Sequence, residues 1–109
     1  MSSFELSQET VSIESFRQEV AQSIIAAAEK STTLSRGEKR RIDRVMKGGW
    51  FQEGRKNQII NAVVQQLHAE QAIVVLPDGV QAAVDWDAVI EFIEKLIPLI
   101  VKLISLFGG

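Results

Sequence analysis

His68 is the only histidine in the chain, and there is no cysteine. Thiol nucleophiles, disulfides, zinc ribbons and histidine-rich metal cages are therefore excluded. His68 stands among Gln65, Gln66 and Glu70, the setting of an ordinary surface imidazole. Two carboxylate pairs remain, Asp85 with Asp87 and Glu91 with Glu94. On a helix the members of the first pair point about 200° apart, so helix capping accounts for them better than shared acid–base work. Glu91 and Glu94 fall on one polar stripe and are simply solvated. No phosphate-cradling glycine loop, dinucleotide fingerprint or triad order is present. The chain reads as non-enzymatic, with no catalytic residue, cofactor or metal.

Charge is the next feature that could act on a partner. Residues 36–56 hold eight of the twelve Lys and Arg against Glu38, Asp43 and Glu53, a local net of +5. Residues 57–94 hold six acids and no Lys or Arg. Arg36, Arg40, Arg44 and Lys47 recur at steps of 4, 4 and 3, which places them on one helix face. Such a stripe suits docking onto an acidic surface, including the 70–94 region of a neighbouring copy, and could also contact phosphates. The net charge of −2 makes sequence-specific DNA an unfavourable partner. Trp50 and Phe51 follow Gly48-Gly49 and are expected to form an aromatic anchor that closes the core, or else a hot-spot contact.

The strongest pattern lies at the C-terminal end. From residue 86 to 107 the positions Asp87, Glu91, Glu94, Pro98, Lys102 and Ser105 step by 4, 3, 4, 4 and 3. They form one narrow stripe, and nearly everything else except Lys95 is apolar. A helix apolar over most of its circumference must be enclosed, by its own core, by a self-associated helical interface or by a membrane surface. Its interface candidates are Trp86, Ile90, Ile93, Leu96, Ile97, Ile100, Leu103, Ile104 and Phe107. A transmembrane span fits worst, because the uncharged run Leu96 to Val101 is only six residues long.

The elements that position these residues follow from periodicity. Ile13, Phe16, Val20, Ile24 and Ala27 step by 3, 4, 4 and 3, predicting a helix over 12–30 capped by Thr10 or Ser12. Ser35-Arg36-Gly37-Glu38 has capping-box spacing and opens a second helix, 35–47, which Gly48-Gly49 stops. Ile60, Val63, Val64 and Leu67 outline a third, 55–71. Ile73-Val74-Val75-Leu76, then Pro77-Asp78-Gly79 and Val80 to Val84, read as a hairpin. Asp85 caps the last helix, 86–107, and Pro98 is expected to kink it. The fold expected is mainly α: one domain over 1–109, a small bundle of about four helices with a short β-hairpin at 73–84 before a long apolar C-terminal helix. Residues 1–11 are expected to be flexible.

The order helix, helix, helix, hairpin over residues 12–84 resembles a winged helix-turn-helix. The resemblance implies base readout by the third helix and phosphate contacts from the wing. The helix after Lys56 and the hairpin from Ile73 to Val84 contain no Lys or Arg, so a protein-binding relative of that topology fits better than a small nucleic-acid binder.

The first functional expectation is a helical interaction module that self-associates, or docks on a protein partner, through the C-terminal helix. The second is a peripheral membrane protein using residues 86–107 as an interfacial amphipathic anchor, and the third, weaker, is nucleic-acid binding. Met1-Ser2-Ser3-Phe4-Glu5 has no basic and apolar leader pattern. The expected location is cytoplasmic, with a membrane-peripheral place or a larger assembly as the second reading.

Overall fold

Two serines set the helix starts. In the computed structural model, which describes residues 8–106, Ser12 is extended, and its hydroxyl accepts from the Ser15 amide at 3.1 Å, opening α1, Ile13–Lys30. Ser35 does the same for α2, Arg36–Lys47. Its Oγ accepts from the Glu38 amide at 3.2 Å, while Glu38 accepts from the Ser35 amide at 2.8 Å. These reciprocal bonds satisfy amides that a helix start leaves free. Gly48 then caps α2, and Gly49 takes the left-handed φ of 69° that a side chain resists. A 3-10 turn, Gly49–Gln52, leads into α3, Glu53–Ala69. Beyond it Gln71 adopts φ 61°, and the Ala72 amide reaches back to the Leu67 carbonyl at 2.9 Å to close the helix end.

The hairpin forms as its turn chemistry predicts. Asp78 Oδ1 accepts from the amides of Val80 and Gln81 at 2.9 and 3.0 Å, and Gly79 takes φ 75°. Strand β2, Ile73–Val75, pairs antiparallel with β3, Gln81–Asp85. The flexible lead expected over 1–11 is corrected in part. Residues 1–7 lie outside the described residues, but Gln8–Ser12 form strand β1 on the other edge of β3, giving the order β1-β3-β2. The register runs from Gln8 opposite Asp85 to Ser12 opposite Gln81. The open edge of β3 supplies the backbone partners that five residues lack on their own.

Asp85 caps α4, Trp86–Leu106, through the Ala88 amide at 3.3 Å. The helix passes through Pro98, whose missing N–H leaves the Glu94 carbonyl on the exposed side, where water can bond it. Helix α4 packs against α1, α2, α3 and β3, so it is the central element. Val89, Ile93, Ile97, Ile100 and Ile104, at steps of 4, 4, 3 and 4, are buried along it. Phe16, Val20 and Ile24 of α1, Ile42 of α2, Ile59 and Leu67 of α3 and Val84 of β3 join them in one core. The described residues are mainly helical, four helices with a small antiparallel sheet.

Candidate functional site

The isoleucines proposed as interface candidates divide by position on the helix. Ile93, Ile97, Ile100 and Ile104 are at most 2% exposed and belong to the core rather than to an interface. The reason is tertiary: three helices converge on that side of α4. Trp86 and Leu96 are half-buried against the core, and Leu103 is half-buried. Ile90 is exposed on the opposite flank of α4 from Leu103, and Phe107 lies outside the described residues. Glu91, Glu94 and Lys102 are solvent-exposed, and Glu91 pairs with Lys95 at 3.6 Å.

A second apolar line runs along α4 beside the buried one. Phe92, Leu96, Leu99, Leu103 and Leu106 recur at steps of 4, 3, 4 and 3, the spacing by which one helix meets another along a seam. Along the line Leu99 and Leu106 are exposed, while Phe92, Leu96 and Leu103 are half-buried. Phe92 and Leu96 are packed in part on the core, whereas Leu99 is 41% and Leu106 79% exposed. Single exposed leucines need no explanation, but two of them on one apolar row with half-buried neighbours in helix register do. Sequence reasoning named Leu96 and Leu103 of this line but not Phe92, Leu99 and Leu106, because almost every residue of α4 off the polar stripe is apolar. The spacing of 4, 3, 4 and 3 was the available signal.

The basic face forms as expected. Arg36, Arg40, Arg44 and Lys47 are all exposed on the side of α2 away from buried Ile42, Val45 and Met46. Lys47 is committed to Asp43 at 3.0 Å and to Glu29 at 4.0 Å. Among the described residues, the three arginines have no carboxylate within 4.0 Å. The expectation that Trp50 and Phe51 close the core is overturned. They are 75% and 77% exposed and stack on each other with ring centroids 3.9 Å apart. The backbone explains this: Gly49 turns the chain, and the tight 3-10 turn directs both rings outward while Gln52 takes the more sheltered place.

The remaining polar candidates stay apart. His68 is exposed in the last turn of α3, Asp85 serves as a cap, and Asp87 is exposed. Among the described residues no group of three or more His, Asp and Glu gathers as a metal site would require. An open groove of about 600 Å³ lies between α1, α2 and α3, with Gln22, Glu29, Lys47 and Lys56 on its walls. Across the helices, Asn61 Oδ1 of α3 accepts from Arg17 of α1 at 2.7 Å. Among the described residues, no helix is long and apolar enough to cross a membrane.

No protein-family model matches the chain, and no curated protein or solved structure is significantly similar to it.

Proposed function

We propose that the protein is a non-enzymatic helical module that self-associates through α4, with the line Phe92, Leu96, Leu99, Leu103 and Leu106 as its contact seam. The observation that carries this reading is the seam itself: Phe92 and four leucines at alternating steps of 4 and 3, with Leu99 and Leu106 exposed and the others half-buried, beside a core seam already filled. A second copy of the same helix presents matching spacing, and a twofold pairing needs only one self-complementary patch. Lys95 and Lys102 flank the seam on its polar side and keep the contact bounded. Laying the whole helix on a membrane would expose its core isoleucines, so self-association ranks above that reading.

Size-exclusion chromatography with light scattering tests the proposal. The full chain is expected to run as an oligomer at tens of micromolar. The variant Leu99→Glu with Leu103→Glu is expected to run as a monomer with an unchanged far-UV circular dichroism spectrum. A full-length chain that stays monomeric at that concentration overturns the reading.

A further inference from the structure

We infer that the basic face of α2 and the exposed Trp50–Phe51 pair together form a docking surface for a bilayer carrying anionic lipid. This goes beyond self-association through α4 and rests on a different part of the molecule. The two features adjoin in the chain, since the 3-10 turn carrying the rings begins directly after α2 and packs against both α2 and α3. On its far side, the first turn of α3 adds Arg55 and Lys56. Lys47 and Lys56, from either side of the aromatic turn, line the same groove, where Glu29 pairs with Lys47. The segment 36–56 therefore sets a net charge of +5 around two large exposed rings, in a chain whose total is −2.

The chemistry of this surface selects its occupant. Trp and Phe rings with no core to enter favour the headgroup level of a bilayer, where the ring body meets hydrocarbon and the indole N–H meets water. Cations close to an anionic leaflet add to that attraction, and firm attachment takes two such signals together. A single-stranded nucleic acid fits less well. Successive bases stack on separated rings along a basic track, whereas these two rings close on each other at 3.9 Å and 25°. The acidic 70–94 segment of a neighbouring copy also fits less well. Asp78 is bonded to turn amides, Asp85 caps α4 and Glu91 pairs with Lys95, so half of its six carboxylates are engaged.

The test is flotation of the full chain with phosphatidylcholine vesicles, with and without one third phosphatidylserine. In parallel, Trp50 emission is followed in a Trp86→Phe background. Binding is expected only to the anionic vesicles, with a blue shift of Trp50 emission and quenching by brominated acyl chains. Replacing both rings (Trp50→Ala with Phe51→Ala) is expected to weaken partitioning at least tenfold. Arg40→Glu with Arg44→Glu is expected to weaken it about thirtyfold or more. The seam variant Leu99→Glu with Leu103→Glu is expected to bind vesicles like the parent, so failure of self-association and failure of lipid docking are read separately. Flotation of the unmodified chain decides the matter even if Trp86→Phe folds poorly. Equal binding to neutral vesicles overturns the inference, as does undiminished binding by both the ring and the charge variants. So does an oligonucleotide that binds the chain while anionic vesicles do not, or a loss of self-association in the charge variant with vesicle binding intact.

Discussion

Phe16 and Trp86 meet at a ring-centroid distance of 5.7 Å and an interplanar angle of 43°, joining the first turn of α1 to the first residue of α4. The two helices leave from opposite ends of the β1–β3 ladder, so this contact draws them together beneath the sheet. Phe16 is 1% exposed and Trp86 half-buried, which makes the two sites unequal. Phe16→Ala is expected to cost about 3–5 kcal/mol through lost burial and a residual cavity. Trp86→Phe keeps an aromatic partner and is expected to cost less than about 1.5 kcal/mol. Urea denaturation of both variants checks the order, and equal losses contradict it.

Glycine-to-alanine changes are expected to have different signs at three nearby positions. A Cβ at Gly48 would lie 2.4 Å from the Arg44 carbonyl oxygen and 2.3 Å from Gln52 Cγ, so backbone has to move. Gly48→Ala is expected to destabilise by about 1–3 kcal/mol. Gly49 has open space around it but a φ of 69°, so Gly49→Ala costs about 1–2 kcal/mol through conformation alone. Gly37, inside α2 with only Ser35 Oγ near at 3.9 Å, is free of both constraints. Gly37→Ala is expected to stabilise by about 0.5–1 kcal/mol. Thermal unfolding of the three variants reads the signs directly.

The contrast between these glycines shows what the sequence could carry. Local chemistry was legible: the Ser35–Glu38 box, the Asp78-Gly79 turn and the Asp85 cap all work within a few residues of themselves. Strand β1 was not legible, because Gln8–Ser12 are ordered by β3, more than sixty residues away. The outward aromatic pair was missed for a related reason. Apolar type argues for burial, but the direction of Trp50 and Phe51 is set by the backbone of a four-residue turn. On α4 the chain encodes two apolar lines with little to separate them, and only the neighbours of the folded helix decide which becomes core.

Those two lines respond differently to the same kind of change. Ile100 is fully buried, so Ile100→Asp places a charge without a partner in the core and is expected to abolish folding. Leu99→Glu introduces its charge at a position 41% exposed and is expected to leave the monomer folded while weakening association. Lys102→Ala on the polar stripe is expected to stay within about 0.5 kcal/mol of the parent. Circular dichroism and light scattering on the three variants separate loss of fold from loss of assembly. A folded Ile100→Asp would remove the distinction between the two lines.

Arg36, Arg40 and Arg44 will not support sequence-specific binding to duplex DNA. Each phosphate neutralised on a duplex steepens the fall of log K with log salt by about 0.9, so a binder using these three arginines has a shallow slope and little affinity to lose. Base readout needs donors held beside phosphate anchors, and the exposed amides of α3 such as Asn57, Gln65 and Gln66 have no Lys or Arg beyond Lys56 to anchor them. Asn61 Oδ1 accepts from Arg17, and the hairpin from Ile73 to Val84 carries no Lys or Arg. Exposed charges are screened within about 8 Å at physiological ionic strength, so whatever non-specific attraction exists at low salt is expected to vanish by roughly 0.15 M. Fluorescence anisotropy with mixed-sequence and random duplexes across a salt series measures this. Submicromolar, sequence-selective binding at physiological salt would show that α2 reads DNA after all, because three exposed arginines on an acidic chain cannot produce it by charge alone.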